Sequence, residues 1–236
     1  MRYERWYRDN ILSTDAIMRG ARISIDIYSD VICPWCYVGK RRLERALREL
    51  PSLLPVKVTW RPFQLNPTMP EEGMDRAAYL TGKFGSSDAF KEMERRLIEA
   101  GRAERIPFAF EKIAKTPNTF AAHRLIWYAE QQDCQSAVVE SLFKGYFVEG
   151  LDIGSSSALV ESADRVGLKA DQFLAGDEGT AEVKAEESVG RKLGIRGVPY
   201  FIFAKTYGIS GAQPAEVFAA ALERAWTSLS TAEGSQ

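Results

Sequence analysis

The stretch Ile23-Ser24-Ile25-Asp26-Ile27-Tyr28-Ser29-Asp30-Val31-Ile32-Cys33-Pro34-Trp35-Cys36 decides the architecture. Isoleucine at 23, 25 and 27 alternates with other residues, the period-two pattern of a strand with one buried face. Pro34 suits the first helical position, where the N–H it lacks would have no partner anyway. Leu43, Ala46, Leu47 and Leu50 then form an apolar stripe opposite Arg and Glu, which predicts a helix over 34–50, ended by Pro51 and Pro55. Val56, Val58 and Trp60 alternate with Lys57, Thr59 and Arg61 as a second strand. Strand, helix, strand over 22–61 is one βαβ unit with parallel strands.

Downstream, the alternation disappears. Residues 67–180 read as helical, with helices expected over 88–101, 118–133, 135–149, 157–167 and 170–175 and no strand among them. The chain then returns to its first pattern. A helix over 180–194 leads to Gly197-Val198-Pro199 and a short apolar strand at 200–203. Residues 207–210 pair with that strand as a hairpin, and a last helix covers 214–229. The order βαβ, helices, α, ββα describes an α/β sheet interrupted by an inserted all-helical domain. The sheet domain takes 21–66 and 181–229, and the insert takes 67–180. No Gly/Ser-rich or Pro-rich linker separates the two. Residues 1–20 read as an appendage in which Tyr3, Tyr7 and Ile11 recur every four residues, suiting a short helix that docks on the body or on a partner chain.

Composition excludes several classes. The 236 residues are 45% hydrophobic and 27% charged, which argues against disorder. Lys plus Arg number 31 and Asp plus Glu 32, a net charge of −1 that gives no general attraction to nucleic acid or an anionic membrane. No stretch reaches the ~18 apolar residues of a bilayer span. Charges at Arg2, Glu4, Arg5, Arg8 and Asp9 break up any secretory signal, so a cytoplasmic location is expected. There, a cysteine pair is more often catalytic or metal-binding than a permanent staple.

Cys33-Pro34-Trp35-Cys36 lies where the first strand hands over to the helix. With Pro34 as the first helical residue, Cys33 is the N-cap. Its sulfur should face the free N–H groups of Trp35 and Cys36 and the positive end of the helix dipole, lowering its pKa below the free-thiol value of ~8.5. Cys36 is seven residues before Leu43 and falls on the buried stripe. The expectation is an exposed, nucleophilic Cys33 and a shielded Cys36 within disulfide reach, the asymmetry that thiol–disulfide exchange needs. A zinc site would have only Cys134 and His123 to add, with no second CxxC, so no metal is expected.

Five motifs extend the reading: SDVICPWCYVG at 29–39, RPFQLNP at 61–67, NTFAAHRL at 118–125, GIRGVPYFIF at 194–203 and SGAQP at 210–214. Together, in this order over about residues 22–228, they resemble the DsbA-like thioredoxin family. The likeness is to its FrnE-like branch, within the superfamily that includes 2-hydroxychromene-2-carboxylate isomerase. The resemblance implies a thioredoxin fold with an inserted helical domain and protein disulfide oxidoreductase activity. It implies that Val198–Pro199 is a cis bond facing the cysteines, where an extended client could pair with the Val198 backbone. It implies client proteins with thiols or disulfides as partners, glutathione as a possible co-substrate, and no cofactor beyond the Cys33–Cys36 disulfide. DsbA itself carries a histidine between its cysteines, whereas this chain has Pro34 and Trp35. It also lacks the second cysteine pair of some FrnE-like proteins, so a two-disulfide relay is not expected.

Other residues keep two readings. His123, the only histidine, is a general base or a structural, hydrogen-bonded group. Asn118 is a helix N-cap or, by analogy with glutathione-using relatives, a contact to the tripeptide. Trp35 is a client-contacting ring at the rim or a cover for the helix start. Asp30 and Lys40 flank the motif and either tune its field or, as is more usual for such charges, are solvated, and Cys134 is expected to be an inert thiol. Two alternative functions share the fold. One is a glutathione-dependent isomerase or transferase of the kappa-like type, whose isomerase members usually place serine at the Cys33 position. The other is a chaperone-like module whose helical insert offers an apolar groove. The sequence is compatible with a homodimer.

Overall fold

Strand β1 (Ile23–Ser29), helix α1 (Pro34–Glu49) and strand β2 (Val56–Pro62) form the expected βαβ unit in a computed structural model that describes residues 22–49, 55–85 and 87–232. β1 and β2 are parallel, with Ile27 opposite Trp60. The appendage at 1–20, Leu50 and Pro51 lie outside the described residues.

The middle of the chain runs β3 (Met74–Asp75), α2 (Arg76–Phe84), α3 (Ser87–Ala103), a 3-10 turn at Phe110–Lys112 and β4 (Lys115–Thr116). It continues with α4 (Phe120–Gln131), α5 (Gln135–Lys144), α6 (Ser156–Asp164) and α7 (Asp171–Ala175). The last elements are α8 (Thr180–Lys192), β5 (Tyr200–Phe203), β6 (Tyr207–Ser210) and α9 (Ala215–Ala232). The helical block is therefore not free of strands, because β3 pairs antiparallel with β4. Two residues per strand are too few for alternation to register. The helix expected over 135–149 also changes form, widening into a π-helical turn at Gly145–Glu149.

The main sheet has the order β2-β1-β5-β6. β5 is antiparallel to β1 and to β6. Ile23, Ile25 and Ile27 point to one face and have no exposed surface. Burying each stabilises the fold by about 1.5–3 kcal/mol. They share a core with Leu43 and Ala46 of α1 and with Phe218 and Leu222 of α9, and these two helices pack side by side. Tyr28 points the other way into a smaller cluster with Phe63 and Ile195, under α8.

The insert is joined to the sheet through the β2 edge. The Trp60 N–H donates to Gln135 Oε1 at 2.8 Å, and Gln135 Nε2 donates to the Trp60 carbonyl at 3.0 Å. One side-chain amide thus takes the place of a neighbouring strand and satisfies a buried edge. The Trp60 indole N–H reaches Ser136 Oγ at 3.1 Å, and its ring meets Phe143 edge-on.

Candidate active site

Both cysteines of the CPWC motif are free thiols at the start of α1. The turn before them is held by the Cys33 N–H, which donates to the Asp30 carbonyl at 2.9 Å. The Cys36 N–H donates to the Cys33 carbonyl at 3.0 Å. The Cys33 thiol donates to the Val198 carbonyl at 3.5 Å, a length suited to a weak sulfur donor. Val198 precedes Pro199, and the bond between them is cis.

Gly39 brings the two segments together. A Cβ at this position would lie 3.1 Å from both Pro199 Cγ and Phe201 Cζ, so a bare Cα lets the Pro199 turn rest on α1. The turn is held from behind by the Gly211 N–H, which donates to the Pro199 carbonyl at 2.8 Å.

This closure corrects the expectation of a water-facing Cys33. The residue is only 5% exposed, against 1% for Cys36. Val198, Ile32 and Trp35 pack onto the cluster that contains it, and spacing along α1 carries no information about a loop some 160 residues away. The thiol donates to the Val198 carbonyl, and the Cys36 N–H is taken by the Cys33 carbonyl. Cys36 lies behind Cys33 on the buried stripe. Burial, together with its hydrogen bond to Cys33, pushes its thiol well up from the ordinary range. Ser29 and the Asp30 backbone pull it partly back.

Asp30 and Lys40 are not the solvated charges expected. Asp30 has no exposed surface. Its carboxylate accepts from the Leu65 N–H at 2.7 Å and from the Ile32 N–H at 3.5 Å, tying the cysteine loop to the segment after β2. His123 Nε2 lies 3.6 Å from Asp30 Oδ1 and has no hydrogen-bond partner among the described residues. The lone histidine therefore stands behind the cysteine loop as a buried neighbour of Asp30. Lys40, 4% exposed, bonds Glu140 of α5 at 2.7 Å and also Glu44. Glu140 further accepts from the Tyr37 hydroxyl at 2.8 Å and from Arg41. The residues after Cys36 thus clamp α1 to the insert. Tyr37 completes the clamp by stacking on Phe143 at 5.0 Å.

Asn118 is not the N-cap expected, because that position falls to Thr119, but its side chain braces the turn that leads into α4. Its Oδ1 accepts from the Phe120 N–H at 2.9 Å, and its Nδ2 donates to the Met69 carbonyl at 2.7 Å. Cys134 precedes α5, with its thiol pushed up by burial and by Asp133. Among the described residues, no three His, Cys, Asp or Glu side chains cluster as metal ligands.

Pro34 and Trp35 border a cavity of about 170 Å³ shared with the insert. Its far wall includes α2, a helix that the sequence reading did not single out. A signal was there: the Asp75 side chain caps α2 by accepting from the Ala78 N–H at 2.9 Å, and Gly85 ends it at φ 76°.

The DSBA-like thioredoxin domain family matches the chain over residues 24–223. The YwbO protein of Bacillus subtilis is 26% identical over 208 residues, covering 85% of this chain and 96% of that protein. Among solved structures, a probable DsbA oxidoreductase from Streptomyces coelicolor superposes with a TM-score of 0.80 at 35% identity, covering 87% of this chain and 91% of its own. A 2-hydroxychromene-2-carboxylate isomerase shares the fold at 18% identity and a TM-score of 0.64, over 85% of this chain and 95% of its own. Among the described residues, no helix is long and apolar enough to cross a membrane.

Proposed function

The chain belongs to the DsbA-like thioredoxin domain family, and on that premise we propose that it is a thiol–disulfide oxidoreductase whose working pair is Cys33 and Cys36. One observation carries this reading. The Cys33 thiol lies against the Val198 backbone carbonyl, and Cys36 lies behind it with its thiol pushed up by burial. The outer sulfur is the one a client meets, and the inner one is held for the second step.

In the oxidising direction a client thiolate attacks the Cys33 sulfur of the disulfide form. The Cys33–Cys36 bond breaks, a mixed disulfide forms, and Cys36 leaves and takes up a proton. The client's second thiolate then attacks the client sulfur of the mixed disulfide and releases Cys33. Cys33 then takes up a proton as well, so two electrons have passed from client to protein and the two protons lost when the client thiols ionised are matched by those on Cys33 and Cys36. In reverse, Cys36 must lose its proton before it attacks the Cys33 sulfur, and burial makes that the demanding step. An extended client paired with the Val198 backbone would present its sulfur beside Cys33.

The proposal includes a cytoplasmic site of action, protein clients and glutathione as a small-thiol partner. It also keeps the division into a sheet domain at 21–66 and 181–229 and a helical insert at 67–180. Retention of both thiols favours exchange over a glutathione-dependent isomerase, in which Cys36 would be idle. Cys33→Ser should abolish insulin-disulfide reduction, and Cys36→Ser should accumulate mixed disulfides visible on non-reducing gels. Full activity of the Cys33→Ser protein overturns the proposal.

A further inference from the structure

The row of side chains that β1 turns toward α1 changes character at its last position. Ile23, Ile25 and Ile27 point to that face and are fully buried. Alternation along the strand puts the Ser29 side chain next in the same row, and it is buried as well. A hydroxyl thus stands where the pattern calls for a fourth apolar group. Main-chain contacts fix the strand end: Ser29 lies opposite Pro62 of β2, and the Phe63 N–H donates to the Ser29 carbonyl at 3.2 Å.

Cys36 meets this row from the helix side. It lies in the first turn of α1, buried on the stripe that Leu43 continues, in the core that the isoleucines enter. Its sulfur stands beside the Ser29 hydroxyl and the Asp30 main chain. While Cys36 is a thiol, the Ser29 hydroxyl has no hydrogen-bond partner among the described residues. A thiol sulfur is a weak acceptor, and a buried hydroxyl without a partner destabilises the state that contains it. A thiolate at Cys36 supplies the acceptor that is missing.

We propose that Ser29 is a catalytic residue whose hydroxyl donates a hydrogen bond to the charge that develops on the Cys36 sulfur as the Cys33–Cys36 bond opens or closes. The proposal rests on the exchange reading above and assigns a further residue to the same site. When a glutathione thiolate attacks the Cys33 sulfur, a bond forms between those two sulfurs. The electron pair of the Cys33–Cys36 bond passes to Cys36, which leaves as a thiolate. Ser29 keeps its own proton while donating the hydrogen bond. Solvent then protonates Cys36, and the hydroxyl loses its acceptor again. Reclosure retraces the path: Cys36 ionises against the Ser29 donor, attacks the Cys33 sulfur and expels the glutathione thiolate. The hydroxyl therefore favours the transition state over both resting forms. It speeds opening and closing alike and leaves the equilibrium between disulfide and dithiol where it was.

The test follows this step with glutathione at pH 7 in wild type, Ser29→Ala and Ser29→Thr. Oxidised protein is mixed with excess reduced glutathione, and reduced protein with oxidised glutathione. Acid-quenched samples are resolved by mass into disulfide, mixed-disulfide and dithiol forms. Ser29→Ala should slow both opening and reclosure by about 10-fold, the scale of one hydrogen bond to a partly developed charge. The equilibrium constant against glutathione should change by less than about twofold. Ser29→Thr, which keeps the hydroxyl, should recover most of the rate. In a Cys36→Ala background, exchange of glutathione at Cys33 proceeds without a Cys36 thiolate, so the difference made by Ser29→Ala should vanish there. Alanine removes one unpartnered oxygen from a buried site, and circular dichroism and thermal melts establish that each variant is folded.

Opening and reclosure rates that are unchanged in Ser29→Ala overturn the role of Ser29 and leave the exchange reading standing. Equal slowing in the Cys36→Ala background overturns it too, as does an equilibrium constant that moves as far as the opening rate. A folded Ser29→Thr protein no faster than Ser29→Ala has the same force, because the effect then belongs to shape and not to the hydroxyl. A wild-type disulfide that neither glutathione nor dithiothreitol opens overturns both readings.

Discussion

Replacing Glu140 by glutamine tests the clamp that fixes the cysteine helix to the insert. In the wild type one carboxylate serves three donors: Lys40 at 2.7 Å, the Tyr37 hydroxyl at 2.8 Å, and Arg41. Glutamine removes the charge and aims an NH₂ group at one of these donors. Lys40, 4% exposed, is left with Glu44 as its charge partner. Removing one member of a buried ion pair costs about 3–5 kcal/mol. Because Glu44 stays, the expected loss is about 2–3 kcal/mol, or a Tm lower by about 4–12 °C for a chain of this length. The pH dependence follows from the shift. Burial opposes the Glu140 charge, but Lys40, Tyr37 and Arg41 outweigh it and hold the carboxyl below its ordinary range. The contribution is therefore complete above the unfolded glutamate value of ~4.3 and is lost as pH falls through the lower folded value. Urea unfolding of wild type and E140Q at pH 7 and again in acid reads both effects. Midpoints that coincide at pH 7, or a gap of unchanged size in acid, refute the reasoning.

Three further perturbations test the fold and the pair. Gly190→Ala places a Cβ 2.5 Å from Tyr28 Cε1 and should cost about 1–3 kcal/mol in urea unfolding; an unchanged midpoint contradicts the packing of α8 on the sheet. Phe218→Ala removes a fully buried ring 4.6 Å from Phe201 and should cost about 3–5 kcal/mol, whereas a loss under about 1 kcal/mol is inconsistent with its place in the core. In the folded, reduced protein at pH 8, iodoacetamide should leave Cys36 unmodified by mass spectrometry, since burial and Cys33 push its thiol up, while urea should expose it. Alkylation of Cys36 as fast as Cys134 in the folded state would contradict its burial.

Sequence periodicity carried the sheet domain well. The alternating isoleucines of β1, the valines and Trp60 of β2, and the apolar run at 200–203 each mark a strand that the structure contains. The thioredoxin fold and the family were legible from five ordered motifs. Spacing could not convey what distant segments do to one another. The Val198 loop closes over Cys33, and α5 brings Glu140 to Lys40, so two groups expected in water are buried. Asp30 disappears beneath a loop whose Leu65 N–H needs its carboxylate. The β3–β4 pair was hidden by its length, and α2 announced itself only through Asp75 and Gly85 at its ends.

The bond from the Cys33 thiol to the Val198 oxygen exists only while the sulfur carries hydrogen. Closing the disulfide deletes that donor and leaves a main-chain acceptor vacant at the threshold of the site. The electron count of two sulfurs is thereby transcribed into whether one peptide oxygen is engaged or open to a visitor's N–H.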